Sequence, residues 1–165
     1  MTVMLATPLD EATWQAAVWR LGAHLDGAAT TFAVHAPAAT RVVLELYPEA
    51  VGAGAHWSYP LAKSPDGVWR GRIGNVGAGA LYAYRCWGEN WPFDPSWDPG
   101  GSAAGYVSDV DGIGNRFNPN KVMFDPYARE ITHNLYSDLI AGAGGDAGCF
   151  GTGHDDAEAD TEVEG

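Results

Sequence analysis

The stretch TFAVHAPAAT, from Thr31 to Thr40, together with the RVVLELY that follows it, decides the fold class. In its first half Phe32, Val34 and Ala36 alternate with small or polar residues. This two-residue period predicts a half-buried β-strand. The strand would end at Pro37, because proline donates no backbone hydrogen bond.

The run RVVLELY shows the same period. One face would carry three aliphatic side chains and the other the polar and aromatic ones: Val42, Leu44 and Leu46 against Arg41, Glu45 and Tyr47. A strand of this kind packs its aliphatic face on a core. The two runs therefore predict neighbouring strands.

Three further runs extend the pattern: HWSYPLA, VWRGRIG and LYAYRCW. VWRGRIG would place Trp69 and Ile73 in the core and turn Arg70 and Arg72 outward. Ser64–Gly67, with the sequence SPDG, predicts the turn of a hairpin. Five or six strands separated by Gly and Pro turns predict an all-β fold, an antiparallel β-sandwich.

From Trp91 the strand pattern gives way to WPFDPSWDPGGSAAG, which contains three prolines. Proline cannot occupy a central strand, so this segment predicts a long surface loop. Its rings, Trp91, Phe93 and Trp97, need to be covered by other side chains.

Charge divides the chain. Seven of its 21 acidic residues follow Gly145, where there is no Lys or Arg, so that segment has a net charge of −7. The other 14 acidic residues and all nine basic residues lie before it, which gives residues 1–145 a net charge of about −5. We expect an N-terminal extension over 1–19, with a helical turn or two from Leu9, a β-sandwich module over 20–140, and an acidic tail over 141–165. Such a tail buries too little apolar surface to order itself, which predicts disorder or a cut linker.

The acidic balance excludes nucleic acid and anionic membrane surfaces as partners, because both are bound through basic patches. The start, MTVMLATPLDEATWQ, does not show the pattern of a signal peptide, so none is expected, and no apolar run is long enough to predict a membrane-spanning segment. We expect a cytoplasmic protein, or a secreted one if the start is truncated. Cys86 and Cys149 are expected to be reduced thiols.

Three carboxylates, Asp109, Asp111 and Asp125, invite comparison with an active site. Glycoside hydrolysis needs two carboxylates at a fixed separation in a walled site, and a loop on a sandwich offers no such walls. We expect these residues to cap turns. An EF-hand match fails as well, since Ile113 and Asn120 stand where ligands are required. No catalytic residue, metal or cofactor is expected.

Three segments carry a family resemblance: GAHLDGAATTFAVHAPAATRVVLELY from Gly22, LYAYRCWGENWPF from Leu81, and GYVSDVDGIGNRFNPNKVMFDPYARE from Gly105. Together they resemble the N-terminal part of isoamylase-type starch and glycogen debranching enzymes. The resemblance implies an immunoglobulin-like carbohydrate-binding module. In the family the chemistry belongs to a (β/α)8 barrel, which needs about 200 residues or more and is absent from this chain.

Sugar recognition combines flat aromatic faces with side chains that hydrogen-bond hydroxyl groups. In related glycogen-binding modules two Trp and a basic residue hold the glucan, and Trp57, Arg85 and Trp91 stand at roughly matching places. The alternative is that these residues serve packing.

The resemblance thus implies a non-catalytic module of an enzyme that hydrolyses α-1,6 branch bonds of glycogen or amylopectin when joined to its barrel. Weak binding of α-glucan is expected. Two alternatives stay open: a free-standing glucan-binding or regulatory module, and a structural brace that binds no sugar.

Overall fold

A computed structural model describes residues 20–27, 29–50 and 54–131. Within these residues the chain forms seven β-strands and no helix: β1 Gly22–Asp26, β2 Ala29–His35, β3 Arg41–Tyr47, β4 Trp57–Pro60, β5 Ala62–Lys63, β6 Val68–Gly74 and β7 Leu81–Trp87.

The strands form two antiparallel sheets. One has the order β1-β2-β6-β5 and the other the order β4-β3-β7. Two antiparallel sheets packed face to face are the architecture of an immunoglobulin-like sandwich. The predicted all-β fold class is confirmed.

The main core lies between the sheets. Phe32 and Val34 of β2 are buried there with Val42 and Leu44 of β3, at the alternating positions predicted from the sequence. Trp69 is 6% exposed in the same core, and its indole Nε1 donates a hydrogen bond to the Ala36 carbonyl at 2.9 Å. The predicted core position of Trp69 is confirmed.

β1 is a strand that the sequence analysis missed. Its register with β2 pairs Asp26 with Ala29, which leaves a two-residue turn. Gly27 has a φ of 63°, a value that glycine adopts without strain. Asp-Gly is a strong sequence signal for such a hairpin, so Asp26-Gly27 could have revealed β1.

The run HWSYPLA is not the single strand that was predicted. β4 pairs with β3 in one sheet, whereas β5 pairs with β6 in the other. The chain changes sheets at Leu61, directly after Pro60. Proline lacks the N–H that would continue the ladder, and the Leu61 N–H makes the last bond to β3, at the Val42 carbonyl.

Arg70 is also a correction. Its register places it on the outer face of β6, as predicted, but its side chain is completely buried instead of exposed. The guanidinium donates to the Ser64 hydroxyl at 2.7 Å and lies 3.4 Å from an Asp66 carboxylate oxygen. Arg70 therefore braces the Ser64–Gly67 turn, whose predicted position is confirmed by the Gly67 N–H bond to the Ser64 carbonyl.

A second apolar cluster covers the outer face of the β4-β3-β7 sheet. Val43, Trp87 and Trp91 are buried in it, with Trp97 packed against them. The long loop thus supplies its own cover by folding back onto the sheet. Contact is so close behind β7 that a Cβ on Gly88 would come within 1.9 Å of the ring of Phe117.

Several predictions fall outside the described residues: the helical turns beginning at Leu9, the boundaries of the segments 1–19 and 141–165, and the acidic tail. Cys86 is disulfide-bonded and not the reduced thiol that was expected. The other cysteine, Cys149, lies outside the described residues. Among the residues that are described, no helix is long and apolar enough to cross a membrane.

Candidate functional site

Trp57 is the exposed member of the predicted sugar-binding set. The residue is 40% exposed at the start of the edge strand β4, and the His56 ring packs edge-on against its ring, with the ring centres 5.2 Å apart. Beside it is an open pocket of about 340 Å³, lined by Leu46, Tyr47, Trp57 and the loop of residues 75–81. Trp57 therefore has an accessible surface next to a concavity.

Arg85 lies in the interior. Its Nε and one terminal nitrogen donate to the two carboxylate oxygens of Glu45 at 2.7 and 2.9 Å, and its other terminal nitrogen donates to the Pro119 carbonyl. Arg85 is 7% exposed and Glu45 5% exposed. With all of these donors engaged, Arg85 ties the loop to the sheet.

The Tyr47 hydroxyl completes this network by donating to Glu45 at 2.5 Å. Burial, then the hydrogen bond to the Glu45 carboxylate, raises the pKa of Tyr47 well above its ordinary value. Tyr47 thus stays protonated as a donor to the buried carboxylate.

Trp91 is also interior, with 8% of its surface exposed. Its indole Nε1 donates to the Ala104 carbonyl at 2.8 Å, and the Tyr106 ring packs edge-on against it at 5.0 Å. The loop itself therefore packs against the Trp91 ring and accepts the hydrogen bond from its indole N–H.

The strand register separates the three predicted residues. Trp57 is paired with Leu46, which faces the main core, whereas Arg85 is paired with Val43, which faces the outer cluster. Directly opposed residues point to the same face of a sheet, and adjacent positions alternate. Trp57 and Arg85 therefore belong to opposite faces, and the structure does not bring the set together in one groove. Sugar contact stays a prediction, now with Trp57 as the accessible residue.

The three carboxylates bond to their own loops. Asp111 accepts backbone N–H bonds from Ile113 at 3.0 Å and Asn115 at 2.8 Å, and Asp125 accepts one from Tyr127 at 2.8 Å. These contacts confirm the predicted turn-capping role of Asp111 and Asp125. Asp109 differs, since it accepts from the Tyr106 hydroxyl instead of capping a turn.

Within the described residues no group of three His, Cys, Asp or Glu side chains is arranged to hold a metal ion. The hydrogen-bonding oxygens of Asp111 are occupied by N–H donors, which cations cannot replace without breaking the turn. The Asp111 carboxylate therefore stabilises its own turn.

Asn90 is a key residue that the sequence analysis missed. Its side chain is 1% exposed and spans the loop: the amide nitrogen donates to the carbonyls of Ser108 and Phe117, and the amide oxygen accepts the Phe117 N–H. The sequence signal is its place in the short turn between Gly88 and Trp91 that follows β7. That signal is too weak to identify a buried asparagine.

Comparison with known proteins places these features in a family. Residues 20–128 match carbohydrate-binding module 48, the isoamylase N-terminal domain. The chain is 44% identical over 124 residues to the isoamylase of Pseudomonas amyloderamosa, a match that covers 69% of this chain and 16% of that enzyme. It is 33% identical over 111 residues to the glycogen debranching enzyme of Serratia proteamaculans, covering 67% of this chain and 14% of that enzyme.

Among solved structures, a pullulanase from Paenibacillus barengoltzii in complex with maltohexaose and alpha-cyclodextrin is 26% identical, with a TM-score of 0.39 over 41% of this chain and 10% of that chain. The chain spans about one sixth of the length of the isoamylases that it matches. It belongs to the carbohydrate-binding module 48 family, as an isoamylase N-terminal domain.

Proposed function

We propose that the chain acts as the non-catalytic N-terminal module of an isoamylase-type glycoside hydrolase, which cleaves α-1,6 branch bonds of glycogen or amylopectin through a (β/α)8 barrel. The observation that carries this proposal is the 44% identity to isoamylase over 124 residues. The geometry supports it, because the carboxylates of Asp111 and Asp125 accept backbone N–H bonds in their own turns.

A direct test compares three proteins on amylopectin by release of reducing ends: the isolated chain, the Pseudomonas amyloderamosa isoamylase without its matched segment, and a chimera that carries residues 20–131 in place of that segment. We expect no release from the chain and release from the chimera above that of the shortened enzyme. Steady release of reducing ends by the purified chain would contradict the proposal. A chimera that releases no more than the shortened enzyme would also contradict it.

A second candidate function, weak α-glucan binding, is favoured by the exposure of Trp57 beside its pocket. A pyranose presents apolar C–H faces that stack on an indole, while its hydroxyls need hydrogen-bonding groups nearby. Asn75 supplies an exposed amide at the pocket, held there by a left-handed backbone with a φ of 59°. Arg85 and Trp91 contribute to this site only through the packing of the loop.

Titration with maltoheptaose tests this candidate. A dissociation constant on the order of 0.1 to 1 mM is expected, about −4 to −5.5 kcal/mol. Trp57→Ala should remove roughly 1 to 3 kcal/mol of it, as the loss of a stacked aromatic anchor does. Tyr127→Ala is the matched control, since Tyr127 is also an exposed aromatic residue, at 52%, and does not line the pocket. Equal losses of binding free energy in the two variants would contradict a site at Trp57. No binding of maltoheptaose at all would favour the alternative of a structural brace that binds no sugar.

A further inference from the structure

Arg41, at the start of β3, is a half-buried cation whose charge no acidic side chain of the described residues balances. Its Nε is completely buried and bonds to no acceptor in that part of the chain. Burial lowers the pKa of Arg41 from its ordinary value, yet an arginine stays charged near neutral pH. A cation partly withdrawn from water attracts an anion more strongly than a fully solvated one.

Two aromatic rings hold the Arg41 side chain. Its guanidinium carbon lies 4.0 Å from the centre of the Phe93 ring and 5.8 Å from that of the Trp87 ring. Arg41 and Trp87 are directly opposed in the register of β3 and β7, on the face that carries the second apolar cluster. A guanidinium held over a ring makes that contact through its charge, so its N–H groups can still donate to an acceptor.

Two indole N–H groups belong to the same group of contacting side chains. Trp87 is 2% exposed, and the Trp97 ring packs edge-on against it with the ring centres 5.2 Å apart. The Nε1 atoms of both are buried and bond to no acceptor within the described ranges. Together with the Arg41 Nε they make three unpaired buried donors. Such a set favours a ligand that accepts hydrogen bonds and donates none.

Two acidic side chains beside this group bond elsewhere. Glu45 accepts both of its short bonds from Arg85, as described above. Asp94, which follows Phe93 in sequence, accepts the Ser96 N–H at 2.8 Å and the Ser96 hydroxyl at 2.6 Å. Neither carboxylate therefore balances the charge of Arg41.

The chemistry of the donors selects a phosphate group. A guanidinium binds phosphate through two parallel N–H···O bonds, a geometry that arginine matches better than lysine does. A phosphate monoester carries a charge of about −1.5 to −2 at pH 7 on three acceptor oxygens. A neutral sugar would leave the Arg41 charge unbalanced and would bring donors of its own.

We propose that Arg41, held over Phe93 and Trp87, binds the phosphate group of a phosphate monoester or of inorganic phosphate. The site lies on the opposite face of the β4-β3-β7 sheet from Trp57. It therefore goes beyond the proposed function and does not depend on it.

The N–H signals of the site report binding directly. The full chain, in a buffer free of phosphate, is titrated with inorganic phosphate, with glucose 6-phosphate and with glucose, and NaCl at matched ionic strength is the reference. We expect both phosphates to move the Arg41 Nε–H signal and the Trp87 and Trp97 indole signals to saturation, with a dissociation constant on the order of 1 mM. Glucose should leave all three signals in place.

Arg41→Gln should weaken phosphate binding roughly tenfold or more, because it removes the charge and the guanidinium fork. Arg116→Gln is the matched control, since it removes the same charge from an exposed arginine of the loop after β7 and should leave binding unchanged. Arg41→Lys keeps the charge and loses the fork, so its affinity should lie between those of wild type and Arg41→Gln. This variant also assigns the Arg41 signal, and it keeps the test decisive if Arg41→Gln does not fold.

The two phosphates distinguish the source of the ligand. Equal affinities would show that the phosphate group alone is recognised, and tighter binding of glucose 6-phosphate would show that the sugar contributes; both results agree with the proposal. Signals that stay in place with both phosphates would overturn it. Shifts of the same size with glucose or NaCl, or equal weakening in Arg41→Gln and Arg116→Gln, would show that Arg41 forms no specific phosphate site.

Discussion

Arg85 was predicted to bind sugar, but it lies inside the protein in an ion pair with Glu45. Arg85 is paired with Val43 and Glu45 with Ala83, so the two side chains are diagonal neighbours on one face of the sheet. From the sequence, Arg85 was predicted to belong to the sugar-binding set. Its carboxylate partner is 40 positions away, and only the register brings them together.

Arg85→Met should destabilise the module by about 3 to 5 kcal/mol, because it leaves the Glu45 carboxylate buried without its cation. Urea unfolding followed by Trp fluorescence measures the change. The double variant Glu45→Leu, Arg85→Met should lose much less, since it removes both charges. An Arg85→Met midpoint equal to wild type would mean that Arg85 is solvated.

Asn90→Ala should cost about 2 to 4 kcal/mol, because it removes several hydrogen bonds at once and strands their partners in the loop. Asn118→Ala is the control: the Asn118 side chain accepts one bond, from the Asn120 N–H at 3.0 Å, and its loss should cost under about 1 kcal/mol. The same urea experiment compares them. Equal costs would contradict the role of Asn90 in holding the loop.

At the scale of elements, the alternation of side chains predicted the strands well and their surroundings poorly. Phe32, Val34 and Trp69 occupy the core as the two-residue period requires. Val43 and Arg85 lie on the opposite side and are nevertheless buried, because the loop after β7 folds back over that face. A periodic pattern reports which side of a strand is apolar. It does not report what covers the other side.

The last described element, around residues 123–127, closes an edge of the sandwich. The Met123 N–H and carbonyl exchange backbone bonds with Tyr84, and the Tyr82 hydroxyl donates to Asp125 at 2.8 Å. Asp125 is 3% exposed, and burial raises the pKa of its carboxyl above the ordinary value, although bonds from Tyr127 and Tyr82 oppose the shift. Burial thus destabilises the charged form of the Asp125 carboxylate, because it removes the carboxylate from water.

A raised folded-state pKa gives a definite sign to the pH dependence. The contribution of Asp125 to stability is fully present below the unfolded pKa of about 3.9 and is lost as pH rises through the higher folded value. Asp125→Asn removes this titration, so the stability of wild type relative to the variant should fall as pH rises from about 3.5 to 7. Urea unfolding of both proteins across that range gives the difference. A difference that grows with pH would contradict the raised pKa.

At the scale of the whole molecule, the fold class and the family followed from sequence, because strand periodicity and the segment from Gly105 to Glu130 are local signals. The site did not follow, because it depends on which face each strand presents and on the path of the loop. Trp57, Arg85 and Trp91 were predicted to form one sugar-binding set, yet β3 separates Trp57 from Arg85.

The proposal that Trp57 meets glucan while Trp91 stays inside is tested most directly by the indole N–H resonances. We would record ¹H–¹⁵N correlation spectra while adding maltoheptaose to about 10 mM, well above the expected dissociation constant of about 0.1 to 1 mM. Trp57→Phe and Trp91→Phe assign the two signals. The account predicts that the Trp57 indole signal moves and saturates while that of Trp91, bonded to the Ala104 carbonyl, stays in place. A shift of the Trp91 signal with Trp57 unmoved would contradict it.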